Sequence, residues 1–91
     1  MAQTLNIRWL ESAIESINNE ANYLAEMHPK LAKQLIKQVT EQIKELAQNS
    51  HLGRPGRIPG TRELSIDGYL YIALYRVKKN IVEILEILHT A

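Results

Sequence analysis

Cysteine is absent from this 91-residue sequence. Its absence excludes disulfide bonds, a thiolate nucleophile and any zinc or iron–sulfur site built on thiolates. The three histidines, His28, His51 and His89, are far apart along the chain and show no metal-ligand spacing. A core of this size also cannot enclose a large prosthetic group. We therefore expect neither a metal nor a cofactor.

Long apolar runs are missing as well. The longest one, residues 69–75, spans seven residues, whereas a helix that crosses a bilayer needs about 18 or more. The N-terminus has no basic segment followed by an apolar stretch, as a secretory signal would. We expect a single domain over residues 1–91, located in the cytoplasm and without a membrane partner.

Charge is nearly balanced overall but unevenly distributed. The formal net charge is +1, and the stretch between His51 and Arg62 holds three arginines and no acidic residue. The isoelectric point of about 8.0 is below the value above 9 that is typical of dedicated nucleic-acid-binding domains. The arginines therefore indicate a local positive patch and not a nucleic-acid-binding domain.

The first half of the chain predicts a strand followed by two helices. Residues 4–9 alternate polar and apolar, which is typical of a short half-buried strand. Ser12 and Glu15 have the spacing of a capping box, so a helix is expected to start there. His28 and Pro29 break this helix and begin a second one, and the two are expected to pack as an antiparallel hairpin.

The second half predicts a stiff loop and then a three-stranded meander. Residues 49–60 contain two Pro-Gly pairs, in which proline fixes φ and glycine supplies a positive φ. The loop should therefore present Arg54 and Arg57 at fixed positions. Period-two strands are expected around Leu64 and Ile66, over 69–77 and over 81–89, with a hairpin turn at Asp67-Gly68. The predicted fold is α+β with the order β-α-α-β-β-β.

The two long strands of the meander do not divide into an apolar and a polar face under regular alternation. Two helices can cover only one face of a sheet, so the other face should keep apolar surface, which often marks a docking site. Two alternatives remain at this point: the loop at 49–60 covers that face, or a second copy of the chain does.

Three segments together resemble the RelE/ParE superfamily of toxins from bacterial type II toxin–antitoxin modules. They read GRPGRIPGTREL at 53–64, YIALYRV at 71–77 and VEILEILH at 82–89. The resemblance implies a helical hairpin packed on a small antiparallel sheet. It also implies a cognate antitoxin of the ParD or RelB kind as partner, in a hetero-oligomer that contributes to plasmid stabilisation.

The resemblance leaves two targets open. ParE-like toxins inhibit DNA gyrase, and RelE-like toxins are mRNA endonucleases that act on the ribosome. RelE-like nucleases use basic residues on the meander and a His-Tyr or arginine-rich tail, whereas here only Thr90 and Ala91 follow His89. We therefore predict a ParE-like gyrase inhibitor. The alternatives are a ribosome-dependent mRNA endonuclease and an inactive relative that still binds an antitoxin.

The candidate site residues follow from these two readings. No catalytic residue is assigned with the gyrase reading, and the nuclease alternative would use Arg57, Arg62, Arg76 and His89. The candidates for binding a partner are Arg54, Arg57, Tyr69, Tyr71, Tyr75 and Arg76. Each has a structural alternative: the tyrosines could pack in the core, Arg76 could pair with Glu86, and Arg57 or Arg62 could tie the loop to Glu63.

Overall fold

Helix-breaking residues separate the first three elements. Strand β1 (Asn6–Trp9) is followed by α1 (Glu11–Met27) and α2 (Pro29–Lys44) in the computed structural model, which describes residues 4–90. His28 lies outside the helical region, with φ −144° and ψ 80°, because the residue before a proline avoids it. Pro29 occupies the first turn of α2, where its missing N–H is not needed. The predicted hairpin is confirmed.

The remaining elements complete a five-stranded sheet. A short 3₁₀ turn ends α2, and the strands β2 (Arg54–Pro55), β3 (Arg62–Ser65), β4 (Tyr71–Lys78) and β5 (Ile81–His89) follow. The strand order is β1-β5-β4-β3-β2. The predicted α+β class and meander are confirmed. The sheet is mixed, however, because β1 pairs in parallel with β5, and the two-residue β2 lies inside the predicted loop.

A β-bulge in β5 resolves the mixed faces that regular alternation predicts. Leu74 pairs with Glu86, but the next residue, Tyr75, pairs with Ile84, so Leu85 is one extra residue on β5. An extra residue reverses the alternation of every residue beyond it. As a result, three apolar residues of β5 face the helices as part of the core: Val82, Ile84 and Ile87.

Two serines of α1 hydrogen-bond to backbone groups of β5 beside the bulge and beyond the last pair of the β1–β5 ladder. The Ser12 hydroxyl donates to the Leu85 carbonyl at 2.7 Å, and the Ile87 N–H donates to the Ser16 hydroxyl at 2.9 Å. The predicted capping box is therefore wrong: α1 starts after Leu10, and no side chain caps it. The hydroxyl of Ser12 binds the sheet and not its own helix.

The hydrophobic core lies between the hairpin and one face of the sheet. Both helices and strands β3, β4 and β5 contribute to it: Ala13, Ile17, Leu35, Val39, Ile43, Leu46, Leu64, Ile66, Ala73, Tyr75, Val82, Ile84 and Ile87. Trp9 packs against this core from β1. No helix of the described residues covers the opposite sheet face, which we call the open face. The loop at 49–60 lies over part of it, as one of the sequence alternatives predicts, and Ile72 and Leu74 on this face are buried.

Candidate functional site

A groove lies on the open face, between the Pro-Gly loop and the ends of β4 and β5. Its volume is about 580 Å³. The floor is aliphatic and consists of Ile72, Leu74 and Leu88. The remaining lining residues form its rim: Arg54, Arg57, Ile58, Glu63, His89 and Thr90. The groove thus combines an apolar floor with two arginines, one on each side of a Pro-Gly turn.

Tyr75 anchors the start of the loop. Its side chain is 0% exposed, its hydroxyl donates to the Ser50 carbonyl at 2.7 Å, and it accepts from the Gly53 N–H at 2.8 Å. Burial raises the pKa of Tyr75, so the phenol stays protonated and keeps donating. A Cβ at residue 53 would lie 2.6 Å from the tyrosine ring and hydroxyl, so the contact requires glycine there.

Glu63 anchors the middle of the loop. Its carboxylate is buried, with the residue 6% exposed, and one oxygen accepts from the backbone N–H of Arg57 at 3.2 Å. The other oxygen lies 3.4 Å from the Arg54 guanidinium. Arg57 does bind Glu63, as one sequence alternative predicts. It does so through its backbone N–H, however, and not through its guanidinium. We did not predict a functional role for Glu63.

The two Pro-Gly pairs use their glycines differently. Gly60 has φ +82°, as predicted for the third position of a turn. Gly56 is not among the residues with positive φ; its N–H donates to the Thr61 carbonyl at 2.8 Å, and a Cβ there would collide with the Thr61 side chain. The expectation of a positive φ at Gly56 is therefore wrong. Glycine is required there because a side chain would collide with Thr61.

The candidate tyrosines lie on the helix side of the sheet. Tyr69 and Tyr71 are half-buried and pack against the core, and the Tyr71 hydroxyl donates to Glu20 of α1 at 3.0 Å. Burial and the neighbouring Glu20 raise the pKa of Tyr71 to about 12. Tyr75 has no surface to offer a partner, contrary to the expectation from the sequence, because both hydrogen-bonding roles of its hydroxyl are occupied inside the protein.

Arg76 lies on the open face but outside the groove. Its Nε donates to Glu83 at 2.6 Å, so the acid it pairs with is Glu83 on the adjacent strand and not Glu86 as the sequence alternative has it. The hydrogen bond from Arg76 is the main cause that lowers the pKa of Glu83, and the nearby charges of Lys78 and Arg8 add to it. This end of the open face therefore carries a charged row.

The structure does not bring together the four residues named for the nuclease alternative. Arg57 and His89 line the groove, and the His89 ring contacts Tyr71 edge-on at 5.0 Å between centroids. Arg62 points to the other side, where its Nη1 donates to the Gly53 carbonyl at 2.6 Å. Arg76 pairs with Glu83. Only two of the four candidates therefore share a site.

Membrane-spanning helices and clusters of metal ligands are absent from residues 4–90. No group of three or more acidic, histidine or cysteine side chains there is arranged to hold a metal ion. None of the helices is both long and apolar enough to span a membrane.

The arrangement of hairpin, mixed sheet and groove defines a class of bacterial toxins. Residues 7–91 match the family model of the ParE toxin of the type II toxin–antitoxin system parDE. The chain belongs to this family.

Individual relatives agree with this assignment. The chain is 34% identical over 83 residues to a Sinorhizobium fredii protein named "Putative toxin Y4kP", covering 91% of this chain and 85% of the relative. It superposes with a TM-score of 0.89 and 25% identity on a chain of the chromosomal ParDE system from P. aeruginosa, over 97% and 98% of the two chains.

A more distant structure shares the fold. A chain of the Mycobacterium tuberculosis RelBE2 toxin–antitoxin complex superposes with a TM-score of 0.65 and 19% identity, over 98% of this chain and 94% of that one. This similarity is one of fold.

Proposed function

We propose that this toxin arrests growth by inhibiting DNA gyrase in the cytoplasm, and that a cognate antitoxin neutralises it by covering the groove on the open face. The observation that carries the first part is the separation of the candidate nuclease residues. Cleavage of RNA without a metal needs cations and a general acid or base around one phosphate. Arg62 and Arg76 bind other groups, on opposite sides of the sheet.

The experiment compares both targets with the same purified toxin. We expect inhibition of supercoiling when the toxin is added to DNA gyrase and relaxed plasmid. We expect intact mRNA when it is added to a translating extract. Cleaved mRNA together with unaffected supercoiling would reverse the proposal.

One feature favours the nuclease alternative, namely that Arg57 and His89 line the same groove. Histidine titrates near neutral pH and is the commonest general acid or base. The substitution His89→Ala separates the readings, because gyrase inhibition as proposed does not use this imidazole. Growth arrest should persist in the variant, and its loss in a toxin that still folds and binds antitoxin would support the nuclease.

The antitoxin part rests on the apolar floor of the groove, and the toxin–antitoxin pairs of the structural neighbours support it. Leu88→Lys places a charge on that floor, and burying an unpaired charge is costly. We expect the antitoxin, taken as the product of the adjacent reading frame, to bind at least about 10-fold more weakly. Leu52→Lys, outside the groove and on an exposed leucine, is the matched control. Equal affinities for both variants would contradict the proposed docking site.

A further inference from the structure

The rim of the groove carries a positive charge that the described part of the chain does not neutralise. The guanidinium of Arg54 lies 3.4 Å from a carboxylate oxygen of Glu63, which is long for an ion pair. The guanidinium of Arg57 forms no ion pair with any acidic side chain of residues 4–90. Among the residues that line the groove, only Glu63 carries a carboxylate, and it is already used by the backbone N–H of Arg57 and by Arg54. A cation beside an apolar floor is complementary to an apolar ligand that carries a carboxylate.

We propose that the groove binds an apolar segment of the antitoxin through a carboxylate that pairs with Arg57, and that buried Glu63 is the positioning residue that holds Arg57 over the groove. This inference rests on the proposed antitoxin docking and adds the chemistry of recognition.

The lining favours a peptide over a nucleic acid. Proteins that bind single strands stack bases on aromatic side chains, but the floor here is aliphatic. The nearest tyrosine on β4, Tyr71, donates to Glu20 on the helix side. An aliphatic floor is suited to Leu, Ile or Val side chains, with one acidic side chain at the arginine.

Glu63 acts on Arg57 through the backbone. A buried carboxylate is stable only when donors satisfy it, and Glu63 takes its donors from both ends of the turn at Pro55-Gly56. This fixes the Arg57 N–H and limits the positions that its side chain can reach. A pre-ordered side chain loses less entropy on binding. Tyr75 holds the start of the loop independently, so the loop keeps one anchor when Glu63 is changed.

A double-mutant cycle on antitoxin binding tests the proposal. Arg57→Ala should weaken binding about 10-fold to 100-fold, as expected when one partner of a buried charge pair is removed. Glu63→Ala should weaken it about 10-fold, and the double variant should bind about as weakly as Arg57→Ala alone, because Glu63 acts through Arg57. Glu63→Gln keeps an oxygen that accepts from the Arg57 N–H and should restore most of the affinity.

Controls and contrary results are specific to this inference. Arg8→Ala removes an exposed arginine of β1 that does not line the groove and should leave the affinity within about 3-fold of the unmodified toxin. Independent, multiplying effects of Arg57→Ala and Glu63→Ala would show that Glu63 is only structural. If Arg57→Ala binds the antitoxin with unchanged affinity while Leu88→Lys binds it more weakly, the proposed carboxylate–Arg57 pair is wrong. The proposed docking site would still be supported.

A single-stranded DNA oligonucleotide, dT12, serves as the probe for the other class of ligand. We expect no binding that depends on Arg57. Arg57-dependent binding of dT12, with antitoxin affinity unaffected by the same substitution, would assign the arginine to nucleic acid and contradict the proposal.

Discussion

Two polar residues inside the protein determine where the arginines of the loop lie. Tyr75 and Glu63 are both almost fully buried, and each binds backbone groups of the loop. An unsatisfied polar group in the interior costs more than its hydrogen bond contributes. Both residues therefore stabilise one loop conformation, and with it the rim of the groove.

The first prediction concerns the hydroxyl of Tyr75. Tyr75→Phe leaves the Gly53 N–H and the Ser50 carbonyl without a partner, and we expect the free energy of unfolding to fall by about 1–3 kcal/mol. Urea denaturation measures this, and hydrogen exchange should show a faster amide at Gly53. Tyr23→Phe is the control, because Tyr23 is 69% exposed. Equal stability of the two variants would show that the anchor contributes nothing.

The second prediction concerns pH. Burial and then Glu20 raise the pKa of Tyr71 from 10.0 to about 12. Since the pKa in the folded state exceeds that in the unfolded state, the contribution of this group to stability is complete below pH 10. It is lost as the pH rises from 10 to 12. In urea denaturation at pH 8, the free energy of unfolding of the unmodified toxin should exceed that of Tyr71→Phe by about 1 kcal/mol. This difference should disappear by pH 12. An advantage that grows with pH would contradict the assignment.

At the scale of elements, α1 and β5 depend on one another. The bulge at Leu85 brings Val82, Ile84 and Ile87 of β5 into the core, and Ser12 and Ser16 of α1 hydrogen-bond to backbone groups of β5 beside the bulge. The helix thus supplies hydrogen bonds to this part of the strand. Without α1, the Leu85 carbonyl and the Ile87 N–H of β5 would lose these hydrogen-bond partners.

The third prediction tests this dependence. Ser16→Ala leaves the N–H of Ile87 without an acceptor beneath the helix, so the free energy of unfolding should decrease by about 1–3 kcal/mol. Ser65→Ala, at an exposed position of β3, should change it by less than about 0.5 kcal/mol. Thermal or urea denaturation compares the two. If Ser16→Ala proves as stable as Ser65→Ala, the hydrogen bond from the Ile87 N–H to Ser16 does not contribute to stability, and a water or another group must accept from this N–H.

At the scale of the whole molecule, the helices cover one face of the sheet, and the Pro-Gly loop lies over part of the other, where Ile72 and Leu74 are only 5% and 8% exposed. The hairpin spans the core side, whereas the open face holds the groove at one end and the charged row of Arg76 and Glu83 at the other. A two-layer domain of 91 residues has no third layer to place there. The partner that neutralises the toxin can supply that layer.

The fourth prediction follows from mass action. A partner that binds only the folded toxin stabilises it by about 2.7 kcal/mol at a free concentration 100 times Kd. For a domain of this size, that corresponds to a rise in Tm of roughly 10–20 °C. Calorimetry of the toxin with increasing antitoxin measures it, and the rise should be smaller for Leu88→Lys. A Tm independent of antitoxin concentration would contradict binding to the folded state.

Local sequence signals predicted most of the elements. Proline after His28 and the turn residues at Asp67-Gly68 act within a few residues, so the helix break and the hairpin were predictable. The capping box failed because a distant carbonyl, on Leu85, binds the Ser12 hydroxyl. Arg54 and Arg57, predicted on the loop as candidates for binding a partner, line the groove, and their role in binding stays a prediction. The place of Glu63 was missed because nothing local indicates that this acid is buried.

By itself the sequence determined the element order, the stiff loop with its arginines and, by resemblance, the toxin family, because these depend on short-range patterns and on strings of residues. Only the tertiary structure decided that Tyr75 is a core anchor, that Arg62 and Arg76 lie outside the groove and that β5 carries a bulge. Those outcomes depend on strand register and on hydrogen bonds between groups 22 to 73 residues apart. One extra residue in a strand is enough to change that register.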